Sequence, residues 1–170
     1  MGADSETTGH VAAATRDLAG KYLTFALGEE EYGVAVLEVR EIIRMMEITS
    51  VPQVPKHVRG VINLRGKVIP VVDLRLKLSF GEQAYTERTC IIVVEVSLAA
   101  SRVLMGVVVD TVSEVLSITA DEIERMPEFG ERVATGHMRG IAKIRGRVKV
   151  LLDLDRVLAS DGPIALRSAA

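Results

Sequence analysis

One segment of the sequence has residue types that could bind a phosphate group. Gly60-Val-Ile-Asn-Leu-Arg-Gly66-Lys67 contains two glycines followed by a lysine, a combination found in loops that bind nucleotide phosphates. The spacing does not fit, because five residues separate these glycines and a phosphate-binding loop has four. Val68 also stands where a serine or threonine would bind magnesium. The segment therefore does not predict phosphate binding.

The other residues with chemical potential have simpler explanations. His57 and His137 each lie two residues before an Arg-Gly pair, without a second ligand at metal-binding spacing, and are interpreted as turn histidines. Asp73 and Asp153 each precede a predicted helix, where an aspartate caps the first turn. No set of nucleophile, base and acid is recognisable. The sequence predicts no catalytic site, no metal site and no cofactor.

The most informative feature of the chain is an internal repeat. The segment 59–74 returns 80 positions later as residues 139–154, with seven of sixteen pairs identical. A weaker match relates residues 33–43 to residues 106–116 at an offset of 73. The chain thus contains two copies of one supersecondary unit. Two such copies predict a body of two lobes with a seam between them, where a partner could bind.

The pattern of short strands predicts the fold class. Leu23, Phe25 and Leu27 alternate with period two, and turn signals recur about every 8–12 residues along the chain. Each copy contains about five strands, enough to close a small barrel filled with aliphatic side chains. We expect an all-β fold with short helices, in which two five-stranded β-barrels pack on each other. The expected division is a tail at 1–20, barrel one at about 21–86, barrel two at about 87–158 and a tail at 159–170.

Individual strands carry further signals. Residues 90–96 and 103–109 are almost continuously apolar, which predicts strands that are buried on both faces. Pro70 predicts a free strand edge at its own position, because proline cannot donate a ladder hydrogen bond. Cys90, the one cysteine, is interpreted as a small buried hydrophobe.

Composition excludes several classes of protein. The chain is 48% hydrophobic but only 4% aromatic, and its net charge is -2 with a pI near 6.0. This charge argues against general binding to nucleic acid or to an anionic membrane. No apolar run has the length of a membrane span, and the N-terminus lacks the pattern of a signal peptide. We therefore expect a cytoplasmic location without membrane insertion.

Two features predict surface function. Arg65 and Arg145 occupy the same hairpin turn in the two copies, and Arg65 has Arg59, Asn63 and Lys67 nearby in sequence, which predicts a small basic and polar patch. Residues 36–43 are more apolar than one face of a short strand requires. They either pack in the core and the seam, or line a hydrophobic groove for a partner helix.

These residues resemble a known family. The segments Glu31-Tyr-Gly-Val-Ala-Val36, Val39-Arg-Glu-Ile42 and Arg59-Gly-Val-Ile-Asn-Leu-Arg-Gly-Lys-Val-Ile-Pro-Val-Val-Asp-Leu-Arg75 are similar to the CheW family of chemotaxis coupling proteins. The segment 106–116 is similar as well. The resemblance covers roughly residues 20–158, and the string Asn-Leu-Arg-Gly followed by Pro-Val-Val-Asp-Leu is its most specific part.

The resemblance implies a fold, a role and a set of contact residues. It implies two SH3-like barrels and a non-catalytic adaptor that couples the cytoplasmic helical tips of methyl-accepting chemoreceptors to the regulatory domain of the histidine kinase CheA. Such a protein is recruited to membrane-associated receptor arrays. Carried over by position, receptor contact in the groove between the barrels is implied for Val39, Glu41, Ile42, Gly60, Arg65, Cys90 and Ile91. Kinase contact is implied for Gly106, Val112 and Val115.

Two other interpretations compete with the adaptor. The chain could be the CheW-like regulatory domain of a CheA-type kinase, although the Met1 start and the separate tail argue against an excised domain. It could also be a small-barrel nucleic-acid-binding protein. Such barrels use basic grooves and stacking aromatics, and the few aromatic residues and negative net charge argue against this class.

Overall fold

The computed structural model describes residues 16–125 and 137–159. Within these residues the chain forms strands connected by tight turns, with two short helices that each follow a hairpin. The strands are β1 (Gly20–Leu27), β2 (Glu30–Ala35), β3 (Val39–Arg44), β4 (Val58–Leu64), β5 (Lys67–Asp73), β6 (Cys90–Leu98), β7 (Ser101–Val109), β8 (Thr111–Ile118), β9 (Ile123–Glu124), β10 (Met138–Ile144) and β11 (Arg147–Leu152). The helices are α1 (Leu74–Lys77) and α2 (Leu154–Ala159), and 3-10 turns lie at Arg16–Leu18, Val36–Glu38 and Ala120–Glu122.

The strands form two sheets. Sheet A has the order β8-β1-β2-β11-β10-β9, and sheet B has the order β3-β6-β7-β5-β4. All neighbours are antiparallel except two pairs, β2 with β11 and β5 with β7, which are parallel. The predicted all-β fold of two small barrels packed on each other is confirmed.

The two copies of the repeat have exchanged their first hairpins. The hairpin β1–β2 of the first copy lies in sheet A between β8 and β11 of the second copy. The hairpin β6–β7 of the second copy lies in sheet B between β3 and β5 of the first copy. Each sheet is therefore completed by two strands from the other half of the chain.

This exchange changes the division that the sequence predicted. The strands do not separate between the sheets at residues 86 and 87, because sheet A combines residues 20–35 with residues 111–152 while sheet B spans residues 39–109. The chain crosses from one sheet to the other in the 3-10 turn Val36–Glu38 and again between β7 and β8 at Asp110. Both crossings are too short to mark a domain boundary.

Three apolar clusters hold the sheets. One face of sheet A encloses a cluster that includes Tyr22, Ile118 and Leu151, and one face of sheet B encloses Ile62, Ile91 and Val108. The opposite faces of both sheets share a central core with α1 and α2. Its members include Leu23, Phe25, Leu27, Val34, Ile92, Val94, Met105, Val107, Leu74 and Leu154. The predicted burial on both faces is confirmed for β6 by Ile91 through Val94 and for the second half of β7 by Val107 through Val109. Val103 and Leu104 in the first half of β7 are half-buried.

Local predictions agree with the structure where the chain supplies short-range signals. The side chain of Asp73 accepts a hydrogen bond from the amide of Arg75 and so caps α1. Strand β5 pairs with β7 only from Val71 onward. Pro70 therefore lies just before this ladder, where the hydrogen bond that proline cannot donate is not required. Arg65 and Arg145 both have positive φ, at 52° and 53°, as the central residues of two-residue hairpin turns require.

The ends of the chain differ in part from the prediction. Residues 16–20 were expected to belong to the tail, but Leu18 is buried and its carbonyl accepts a 2.6 Å hydrogen bond from the hydroxyl of Tyr22. Ala159, expected to begin the C-terminal tail, is the last residue of α2. Residues 1–15 and 160–170 of the predicted tails lie outside the described residues.

The hairpin exchange predicts that neither half of the chain folds alone. Splitting the chain in the exposed segment 81–88, into polypeptides 1–84 and 85–170, leaves each half without the two strands that fill the middle of its sheet. We expect neither half to show a cooperative thermal transition, and an equimolar mixture to recover one, as followed by circular dichroism. Cooperative melting of either half by itself would contradict the exchanged topology.

Candidate functional site

The strand β3 presents different residues to its two faces. Ile43 lies opposite Ile91 and packs against the cluster inside sheet B. Ile42 lies opposite Ile92, a residue of the central core, and so faces the side of sheet B that packs on sheet A. Because β3 is the edge strand, this side chain is not covered and remains 44% exposed. Ile42 is thus an apolar surface residue beside the seam rather than a core residue.

Arg65 is held by a carboxylate of the same barrel. Its guanidinium makes a two-pronged ion pair with Glu41 on β3, in which Nη1 donates to Oε1 at 2.9 Å and Nη2 donates to Oε2. The turn is fixed by the side chain of Asn63, whose Oδ1 accepts a hydrogen bond from the amide of Gly66 at 2.9 Å. The hydrogen bond from Arg65 lowers the pKa of Glu41. Both groups are therefore charged at neutral pH.

The predicted basic and polar patch around Arg65 is only partly formed. Lys67 lies near Arg65, on the rim of an open concavity of about 600 Å³ whose floor includes Ile69 and Val93. Arg59 lies at the other end of β4, where it pairs with the carboxylate of Asp73 at 3.3 Å. The rim carries four cationic side chains and two carboxylates: Arg40, Arg65, Lys67 and Arg102, with Glu41 and Glu95.

The residues that the resemblance assigns to receptor contact fall into three groups. Glu41 and Arg65 form their ion pair on the rim of the open concavity, which we call the mouth of sheet B. Val39, Ile42 and Cys90 lie on the face towards the seam, where Val39 and Cys90 are half-buried against the central core. Ile91 and Gly60 are buried, so an effect of either residue on binding acts through the fold.

The residues assigned to kinase contact are separated as well. Gly106 is buried in β7, and a Cβ atom there would lie 2.8 Å from Cγ2 of Ile91, so its role is to allow packing. Val112 is half-buried against the central core. Val115 on β8 is 55% exposed and lies opposite Leu23 of the central core.

Ile42 and Val115 are equivalent positions of the two repeats, since they are separated by the same offset of 73. Each lies on an edge strand, β3 in sheet B and β8 in sheet A, beside a hairpin supplied by the other copy. Each remains an exposed apolar residue. The structure therefore presents two equivalent apolar surfaces, one on each sheet.

Sequence reasoning missed an ionic network under the loop that joins the copies. Arg75 is fully buried, and its guanidinium donates to both carboxylate oxygens of Asp73 at 2.9 Å and to Asp110 at 3.2 Å. Asp110 also accepts a hydrogen bond from the amide of Gly28 at 2.6 Å. The ring of Tyr85 lies 5.4 Å from the guanidinium carbon of Arg75. The repeated Asp-Leu of the two copies was the only signal for this network.

A second missed contact crosses between the copies. Arg139 donates to Oε1 of Glu38 at 2.6 Å, whereas its equivalent Arg59 pairs with Asp73 in its own copy. Burial raises the pKa of Glu38, and the guanidinium of Arg139 opposes that effect. The contact fixes the 3-10 turn at which the chain passes from sheet A to sheet B.

The described part of the chain holds neither a metal-binding cluster nor a membrane-spanning helix. Within 16–125 and 137–159, no three His, Cys, Asp or Glu side chains are grouped as ligands for a metal ion. None of the helices in these ranges has the length and hydropathy to cross a bilayer. The aromatic rings of Tyr22, Phe25 and Tyr32 are buried and so cannot stack on nucleic-acid bases.

Comparisons with known proteins agree with this architecture. The family model of the CheW-like domain matches residues 21–162. The chemotaxis protein CheW of Klebsiella aerogenes is 38% identical over 141 residues, which are 83% of this chain and 82% of that protein. The chemotaxis protein CheW of Rhizobium meliloti is 36% identical over 152 residues, covering 89% of this chain and 93% of that protein.

A solved structure is also similar. The crystal structure of the scaffolding protein TtCheW from Thermoanaerobacter tengcongensis matches with a TM-score of 0.74 and 32% sequence identity. The match covers 85% of this chain and 96% of that one.

Gly60 provides a test of the distinction between fold and contact. Its φ is +140°, and a Cβ atom there would lie 2.0 Å from the carbonyl oxygen of Thr49, so Gly60→Ala should destabilise the protein by roughly 3 kcal/mol or more. Gly66 also has a positive φ, but a Cβ there meets no atom within 4 Å. Gly66→Ala should therefore cost only about 1 kcal/mol. Equal losses in urea denaturation would mean that the contact with Thr49 is unimportant.

Proposed function

The chain belongs to the CheW family of chemotaxis proteins, and we propose that it is a non-catalytic adaptor that couples chemoreceptors to the CheA histidine kinase. Its partners are the cytoplasmic helical tip of the receptor and the regulatory domain of the kinase. It works in the cytoplasm, recruited to receptor arrays at the membrane. Its relatives include chemotaxis proteins and a scaffolding protein, which supports this role.

The observation that carries the proposal is the duplicated apolar surface at Ile42 and Val115. An adaptor needs two separate surfaces, so that one partner does not displace the other. Exposed apolar residues on two edge strands of different sheets supply such surfaces. Apolar anchors of this kind contribute most of the binding energy when a partner helix docks in a groove.

We assign the receptor to the surface of sheet B and the kinase to the surface of sheet A. The receptor surface consists of Val39, Ile42 and Cys90 beside the seam, with Glu41 and Arg65 at the mouth of sheet B. The kinase surface consists of Val112 and Val115. The ion pair supports this division, because Glu41 holds the guanidinium of Arg65 in a fixed position and a preorganised charge lowers the entropic cost of binding.

Substitution of the two equivalent apolar residues tests the division. Ile42→Asp should abolish capture of a receptor cytoplasmic fragment while leaving capture of CheA unchanged, and Val115→Asp should do the opposite. Both side chains are exposed, so each change should cost only about 1 kcal/mol of stability. The measurement is a pull-down with receptor and kinase, each alone and both together, beside thermal melting.

Ile43→Asp is the matched control, because Ile43 is half-buried against the cluster inside sheet B and its replacement puts a carboxylate against apolar side chains. That variant should lose roughly 3 kcal/mol or more of stability. If Ile42→Asp binds the receptor normally, Ile42 does not belong to the receptor surface. If it melts as low as Ile43→Asp, Ile42 belongs to the core.

The charge of Arg65 should matter for coupling more than for folding. Arg65→Glu removes an exposed ion pair, which contributes little to the stability of a protein, and puts a like charge beside Glu41. We expect kinase activation in a reconstituted array to fall at least several-fold, because charge reversal at an interface adds repulsion. The equivalent change in the other copy, Arg145→Glu, should leave receptor binding intact. Full activation by Arg65→Glu with normal melting would refute a role for Arg65.

A further inference from the structure

Sheet A contains a buried lysine at the point where the exchanged hairpin joins it. Lys149 on β11 is only 5% exposed, and lysine is almost never buried unless it is paired. Its Nζ donates to Oε2 of Glu31 on β2. The two residues lie directly opposite each other in the parallel ladder of β2 and β11. This ion pair therefore sits on the junction between the two copies of the repeat.

The equivalent junction in sheet B is apolar. The offset of 80 relates Lys149 to Ile69, and the offset of 73 relates Glu31 to Leu104. Ile69 and Leu104 lie two residues before Val71 and Gly106, the first pair of the parallel ladder of β5 and β7. Both pack against the cluster inside sheet B. One junction is thus closed by a salt bridge and the other by two aliphatic side chains.

This difference distinguishes the observed fold from its closest competitor. If each hairpin stayed with its own copy, β2 would pair with β5, and β7 would pair with β11. Glu31 would then face Ile69, and Lys149 would face Leu104. The buried ammonium of Lys149 would lose its carboxylate, and the half-buried carboxylate of Glu31 would lie against an apolar side chain. Burying the unpaired ammonium is strongly unfavourable. Of the two pairings, only the exchanged one brings the two opposite charges together and the two aliphatic side chains together.

We propose that Glu31 and Lys149 select the exchanged pairing of the hairpins and so specify the two-barrel fold. Stability alone does not explain the pair, because replacing a buried salt bridge with aliphatic residues is often neutral or stabilising. A buried polar pair that discriminates against a wrong partner has the same physical effect as the polar core residues that fix the register of coiled coils. The repeat makes such discrimination necessary, because its two hairpins and two acceptor strands are similar.

Engineered cysteine pairs can report which pairing forms. Residue 30 precedes Glu31 on β2, residue 148 precedes Lys149 on β11, and Val68 is the equivalent of Val148 on β5. Glu30, Val68 and Val148 are all exposed. In a Cys90→Ala background, Glu30→Cys with Val148→Cys reports the exchanged pairing, and Glu30→Cys with Val68→Cys reports the alternative. The full chain is refolded from denaturant under oxidising conditions, and disulfides in the monomer are mapped by mass spectrometry.

The decisive variant is Glu31→Leu with Lys149→Ile, which copies the apolar junction of sheet B. We expect its melting temperature to be unchanged or higher, while the disulfide between residues 30 and 68 increases roughly tenfold over the background with the native ion pair. The reversed pair, Glu31→Lys with Lys149→Glu, is the control and should form only the disulfide between residues 30 and 148. Exclusive formation of that disulfide in the apolar variant would overturn the proposal, and so would failure of the apolar variant to fold.

The single variant separates a specific role from a merely structural one. Glu31→Leu leaves the buried ammonium of Lys149 without its partner and should lower the melting temperature by roughly 10 °C. Adding Lys149→Ile should restore that temperature without restoring the selectivity of the disulfides. If stability and selectivity recover together, the ion pair does not specify the pairing.

Discussion

The exchange of hairpins between the two copies is the constraint on which the rest of the structure depends. Each sheet receives its two middle strands from the other half of the chain, and each exchanged hairpin is bounded by one antiparallel and one parallel partner. Separating the two barrels would remove inner strands from both sheets. The seam is consequently a fixed feature, and the apolar surfaces on β3 and β8 keep a constant separation. A scaffold that presents two partners to each other requires such rigidity.

The points where the chain crosses between the sheets are secured by half-buried carboxylates that form ion pairs. Asp110 lies at the second crossing and connects Gly28 of the first hairpin to Arg75 of α1. Glu38 lies at the first crossing and pairs with Arg139 of the other copy. Removing one member of such a network leaves a buried charge unpaired, which is more harmful than removing an exposed ion pair. The crossings are therefore stabilised by contacts that exist only in the exchanged fold.

Much of the architecture follows from local signals in the sequence, and the rest depends on long-range pairing. Period-two alternation, the Arg-Gly turns and the cap at Asp73 predict the hairpins and helices, and the repeat predicts two similar barrels. The division of strands could not be predicted, because the pairing of Glu31 with Lys149 joins residues 118 positions apart and leaves no local pattern. The burial of Ile91 follows from the apolar run 90–96, which predicts a strand buried on both faces.

The two copies keep the same backbone while their side chains have diverged at equivalent places. Arg65 pairs with Glu41 at the mouth of sheet B, whereas their equivalents Arg145 and Glu114 form no ion pair among the described residues. Similar barrels that carry different charges can bind two different partners, because specificity follows from a few anchors and their electrostatic surroundings. Duplication thus supplied two equivalent surfaces, and divergence of the charged residues gave each surface its own chemistry.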